Sequence, residues 1–295
     1  MKIDHDKINR LIQLSRSQTY DPYTRFSWPK DIPLDCLWCD EDLLTTYGTE
    51  IHKNLTEEQL FLLSKWETIH FFSLNVHGIK SVLEFVCRCF YNKRYTQISE
   101  YLHIFLAEEN SHMWFFARFC HLYGRKLYPT LQIRTPSTSD DIENDLYSFA
   151  SALIFEEFVD YYNQKVGRNK EVPDIVREIN YQHHVDESRH VAFGREIIRK
   201  LHSEILSNGA DEEQQMRISL YFKKLIIHFT GLMYNPLVYA DTGIVETTHF
   251  RNSAAFRNFI RNSPDRDIFH HAWFTRTVEF FRKCGIVNDA SFFHT

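Results

Sequence analysis

A chain of 295 residues with 43% hydrophobic content can bury a sizeable core, and nine glycines and eight prolines are too few to turn many short strands, which favours long helices. A formal charge of −5 with no basic block argues against a nucleic-acid partner. The longest apolar stretch, near Leu225–Met233 and broken by His228, is too short to span a bilayer. The start, Met-Lys-Ile-Asp-His-Asp, lacks a signal-peptide pattern, so a soluble cytoplasmic protein is expected. The cysteines at positions 36, 39, 87, 89, 120 and 284 do not describe a disulfide framework. Cys36-Leu37-Trp38-Cys39 has no second pair at zinc spacing, so reduced thiols are expected. The 25 Phe and 15 Tyr are expected to fill a thick helical core.

Residues 1 to 55 carry most of the turn chemistry, including Trp28-Pro29, Ile32-Pro33 and Tyr47-Gly48-Thr49, and are expected to wrap the rest as a short helix followed by loops. Thr56-Glu57-Glu58-Gln59 is a capping box, predicting a long helix from Glu57 to about Tyr91. After Asn92-Lys93-Arg94, a second helix is predicted from about Thr96 to Tyr123, closed by Gly124. A loop over Pro129 to Ser139 leads to a third helix, from about Asp140 to Lys165, and Gly167 to Pro173 leads to a fourth, from about Asp174 to His202. Four long helices with short connections predict an all-α, ferritin-like four-helix bundle. A fifth helix is expected near Asp211–Met233, then an irregular stretch around Asn235-Pro236 and Asp241-Thr242-Gly243, then helices near Thr247–Asn262 and Asp267–Cys284. These C-terminal helices are expected to cover one side of the bundle and to supply part of a substrate pocket or a homodimer contact. No internal repeat divides the chain, and one domain over 1–295 with its bundle core at about 57–202 is expected.

The fourth helix carries His183-His184-Val185-Asp186-Glu187-Ser188-Arg189-His190. At 100° per residue, His183 and His190 fall within about 60° of Glu187, so one helix can aim two imidazoles and a carboxylate at one point. The second helix repeats the grammar in Glu108-Glu109-Asn110-Ser111-His112, an acid followed by Glu-x-x-His. Two Glu-x-x-His motifs on separate helices are how a bundle builds a dinuclear carboxylate centre. Glu109 and His112 lie in an apolar stripe of Leu102, Phe105, Leu106, Met113 and Phe116 that holds no lysine or arginine; a buried carboxylate there would cost several kcal/mol without a cation. Mixed carboxylates and imidazoles favour iron, with manganese as the alternative, over structural zinc.

Ligating histidines give their other N–H to a carboxylate, so Asp186 is expected to face His112, and Glu108 to face His190. Arg189 is read as a bundle salt bridge. On the third helix, Glu156 and Glu157 both share a face with apolar residues, and periodicity does not choose between them.

On Glu109–His112, Glu187–His190, Glu156 and the additional His183, the chain resembles the AurF-type (p-aminobenzoate N-oxygenase-like) di-iron oxygenases of the ferritin-like superfamily. The resemblance runs from about Trp66 to Leu201 and takes in Tyr47-Gly48-Thr49. It implies two iron ions held by Glu109, His112, Glu156, His183, Glu187 and His190, and it favours Glu156 over Glu157. It further implies O₂ activation to oxidise a small amine substrate at nitrogen, with electrons from an external donor. The family's pattern also calls for a glutamate on the first helix, where the sequence departs from it. Ile79 stands at the expected level, on a core face with Phe72, Val76, Leu83, Val86 and Phe90, whereas Glu67, His70, His77, Ser81 and Glu84 gather opposite. Three readings follow: an oxygenase with an altered site, a non-catalytic metal-binding protein that has lost turnover, or a bent helix that brings Glu84 inward.

Overall fold

The computed structural model describes residues 4–131 and 135–288, and the described residues form helices without a strand. Helix α1 (His5–Ser17) begins at Asp4, whose carboxylate accepts from the Asp6 and Lys7 amides, and buries Ile8, Leu11 and Ile12. After the short α2 (Glu50–Lys53), α3 (Glu57–Cys89) starts at the Thr56/Gln59 capping box. Helix α4 (Ser99–Phe119) continues into a π-turn at Cys120–Gly124. Helix α5 (Asp141–Val166) is capped by Asp140, and α6 (Asp174–Ser207) runs more than a turn beyond the expected end at His202.

These four long helices pack chiefly as the pairs α3/α4 and α5/α6, with α3 also against α5 and α4 against α6. That closed arrangement buries a face of every member, as a bundle requires. Gly78 makes the α3/α5 approach possible: a Cβ there would stand 2.2 Å from the Phe155 ring. Helix α1 lies against α4 and α6. Helices α7 (Glu212–Leu232) and α10 (Asp267–Lys283) lie on α5; α8 (Pro236–Thr242) packs on α3 and carries α9 (Ser253–Arg261).

Three expectations are corrected here. Gly124 is not the left-handed terminator of its helix; it sits inside the π-turn because a Cβ would meet Ile69 at 2.7 Å, and Arg125 takes the positive φ of 57° instead. The stretch from Asn235 to Gly243 is helical: Asn235 accepts from the Leu237 amide, Pro236 occupies the first turn where its missing N–H costs nothing, and Gly243 ends the helix at φ 64°. Apparent breakers are a start and a stop. Helix α3, finally, has no solvent face along part of its length. From Glu67 to Asn75 every residue is buried, because the 38–45 segment and α8 cover the side opposite α4. Glu67 and His70 are therefore interior, whereas Ser81 and Glu84 are exposed.

Candidate metal centre

Helix α4 contributes Glu109 and His112, α5 contributes Glu156, and α6 contributes His183, Glu187 and His190, with no residue of the six more than 4% exposed. The spacing does the local work, since Glu-x-x-His sets a carboxylate and an imidazole on one helical face. His190 Nδ1 stands 2.7 Å from Glu109 Oε1, and His183 Nε2 stands 2.9 Å from Glu187 Oε1. His112 Nδ1 is 3.4 Å from both Glu109 Oε1 and Glu187 Oε1, and His190 Nδ1 is 3.3 Å from Glu187 Oε1. One ligand atom from each of Glu109, His112, Glu187 and His190 lies within 4.8 Å of all the others.

Close as these atoms are, they do not satisfy one another. Glu109 Oε1, His112 Nδ1, Glu156 Oε1, His183 Nε2, Glu187 Oε2 and His190 Nδ1 are all buried without a well-directed hydrogen bond. Buried polar atoms are ordinarily paired; here Glu109, His112, Glu187 and His190 form one group, with His183 beside Glu187 and Glu156 lining a pocket with His190, and so many orphans call for a partner from outside the chain. A cation fits, because each orphan can offer a lone pair. Three carboxylates and three imidazoles suit iron or manganese, and this buried Glu-His-Glu-His cluster could bind two metal ions.

Electrostatics agree. Burial, and then Glu187 and Glu109 beyond the counteracting His190, push the Glu156 carboxyl well above the usual range. For Glu187, burial works the same way, but His190 and His183 outweigh it and hold the pKa well below normal. His112 and His190 are pulled up by the acids around them against the effect of burial. Without a cation the cluster must therefore retain protons.

An outer layer of carboxylates fixes the imidazoles. His112 Nε2–H donates to Asp186 Oδ2 at 3.1 Å, and His190 Nε2–H donates to Glu108 Oε2 at 2.9 Å. Each contact requires the proton on Nε2, which leaves Nδ1 facing the cluster. Arg189 joins the two acids, donating to Glu108 at 2.6 Å and to Asp186 at 2.7 Å. Burial would raise the Asp186 pKa, but His112 and Arg189 hold it far below normal. Three further supports come from the N-terminal wrap, where the sequence shows no function. Ser15 and Gln18 accept from Arg189, and the Tyr20 hydroxyl donates to Asp186 at 3.0 Å. Single polar residues at the end of a helix and in the loop after it leave no periodic signal. The Asn163 amide lies 2.5 Å from His183 Nδ1; if its oxygen accepts there, the proton stays on Nδ1 and Nε2 presents a lone pair.

The neighbouring acids of α5 part company. Glu156 lines a narrow pocket with His190, whereas Glu157 accepts from Arg195 and from Thr277, both at 2.6 Å. On α3, Glu84 is exposed and the helix does not bend to bring it in, while Ile79 is 1% exposed. One turn before Ile79, Asn75 is fully buried, with its Nδ2 donating to the Phe71 carbonyl at 2.9 Å and its Oδ1 unpaired.

A four-helix bundle with a buried double Glu-x-x-His cluster defines the ferritin-like oxidases and oxygenases that work through a dinuclear metal centre. Structures of an R2-like ligand-binding oxidase share the fold. Two variants reconstituted in air with a Mn/Fe cofactor superpose with TM-score 0.54 at 14% identity, covering 96% of this chain and 94% of theirs. A third, reconstituted anaerobically, gives 0.54 at 15% identity with the same coverage. Comparison with curated proteins gives no significant match. The family model described as P-aminobenzoate N-oxygenase AurF matches residues 3–285, and the chain belongs to that family.

Proposed function

We propose that the protein is a dinuclear metal oxygenase that converts a small organic amine to its N-oxygenated product. Membership of the N-oxygenase family and the six unpartnered ligand atoms support this reading together, the second being the observation that carries it. Glu109, His112, Glu156, His183, Glu187 and His190 would hold the metals, iron or manganese, with Asp186 and Glu108 fixing two of the imidazoles. When bound, the metals supply the redox chemistry that activates O₂. The balanced reaction consumes an amine, O₂, two electrons and two protons and releases an N-hydroxylated amine and water. The electrons must come from an external donor.

A cavity of about 240 Å³ between α3, α5 and α7 gives a small molecule room. It shares the wall residues Val82, Phe85 and Ala152 with the narrow pocket that Glu156 and His190 line, so the two lie side by side. In the cavity wall, His77 donates from Nε2 to the Tyr128 carbonyl at 2.9 Å, leaving Nδ1 for a donor such as an amine N–H. His228 also faces the cavity, and burial and then Arg261 lower its pKa, which favours its neutral imidazole. All six cysteines are free thiols, which accords with a cytoplasmic setting; no helix among the described residues is long and apolar enough to cross a membrane. The chain is proposed to act as one domain.

The missing α3 carboxylate favours a second reading, a metal-binding bundle without turnover. One experiment separates them: load the protein with ferrous iron, reduce it without oxygen, add O₂ and a panel of small arylamines and alkylamines, and analyse the products by mass spectrometry. Products heavier by one oxygen, labelled by ¹⁸O₂, support the oxygenase; iron bound with no labelled product across the panel supports the second reading.

A further inference from the structure

We propose that Asn75 completes the metal centre from α3, its side-chain oxygen standing as a neutral donor where the family's pattern calls for a carboxylate. The proposal rests on the metal-centre reading above and adds to it a residue outside the sequence motifs. Asn75 is fully buried, and its amide is half satisfied: Nδ2 donates to the Phe71 carbonyl at 2.9 Å, while Oδ1 meets no donor. An amide oxygen can only accept, so leaving it buried and dry is unfavourable unless a cation or a hydrogen-bond donor reaches it.

Register places this orphan at the level of the others. Toward the start of α3, the Phe72 ring lies 4.8 Å from Phe116 of α4, and Phe116 lies 4.8 Å from the His183 imidazole. Farther along, Val82 and Val86 line the same narrow pocket as Phe105, Glu156 and His190. Helix α3 and helix α4 run antiparallel, so the stretch between these markers passes Glu109 and His112. Phe72, Asn75, Ile79, Val82 and Val86 recur at three- and four-residue steps and share that face. Ile79 has no donor to offer. Asn75, one turn earlier, is the polar residue of this inner row.

A neutral oxygen has consequences that a carboxylate would not. Glu109, Glu156 and Glu187 supply three negative charges against the four positive charges of two divalent ions, so the position nearest α3 is held less tightly than its neighbour. The two metal positions are inherently unequal, and the second can be lost while the first remains.

Anaerobic titration with Fe(II) or Mn(II), followed by equilibrium dialysis and plasma mass spectrometry, tests this, with circular dichroism monitoring the fold. Wild-type protein should take up two ions with distinct affinities. Asn75→Leu should lose the weaker ion, and Asn75→Asp should tighten it by roughly tenfold or more. If Asn75→Leu does not fold, Asn75→Asp alone decides. Two ions bound with wild-type affinities in either folded variant would overturn the role of Asn75 and leave the metal centre standing. A wild-type protein that binds no ion would overturn both.

Discussion

Glu143 and Glu109 are equally hidden from solvent, at 0% and 1% exposure, yet their surroundings differ in kind. Both oxygens of Glu143 are satisfied by the chain itself: Arg217 donates at 2.9 and 3.0 Å, Tyr147 at 2.5 Å and Gln214 at 2.9 Å. Burial alone would raise its pKa, but Arg217 and Tyr147 bring it below normal. Glu109 Oε1 has no such donor. Glu67 lies between these cases, accepting from the Thr45 amide and hydroxyl but without an ion pair, and burial pushes its carboxyl up to about 7. A buried acid is thus neutralised in one of three ways: by an arginine, by a proton, or by a metal. Unpaired lone pairs mark the third.

His190→Ala sharpens the contrast most strongly. Anaerobically loaded protein should retain roughly one ion or fewer per chain by plasma mass spectrometry, because ligands are lost as a set. Retention of two ions would remove the distinction from Glu143.

Next in size is the response to pH at Glu67. Its folded pKa is raised, so its contribution to stability is complete below the unfolded value near 4.5 and disappears as pH climbs through about 7. That loss is about 3 kcal/mol from the conversion of a pKa shift to free energy. Denaturant unfolding of metal-free wild type and Glu67→Gln at pH 5 and pH 8 should show the wild type losing most of this in excess of the variant across the interval. Parallel pH profiles would mean that Glu67 is not held by a proton.

Asp186→Ala should weaken metal binding by about 10- to 100-fold, without unfolding the chain, because His112 loses the acceptor that orients it. Metal titration reads the effect; unaltered affinity would reduce Asp186 to a structural acid. Arg217→Ala should leave metal content unchanged but cost about 1–2 kcal/mol by denaturant unfolding, less than a wholly buried pair because the Arg217 side chain is 46% exposed.

The long helices and both Glu-x-x-His motifs were legible because their information is local: a cap, a spacing, a stripe. The choice between Glu156 and Glu157 was not, because every residue from Leu153 to Val159 is buried and a helix covered all round has no phase to read. The same cause hid Glu67 and His70 of α3, whose cover arrives from the 38–45 segment and α8. Asn75 carried no motif, and its unpaired oxygen on the inner row of α3 shows only in the folded chain. Ser15, Gln18 and Tyr20 were silent for another reason: their partners lie more than 160 positions away.

That separation gives α1 a place in time. Ser15 and Arg189 are 174 positions apart, so α1 waits for that much more of the chain to be made before its partner exists. Contacts of such long range form late, after local helices and hairpins. The N-terminal wrap is therefore a clasp expected to close late over Arg189 and Asp186.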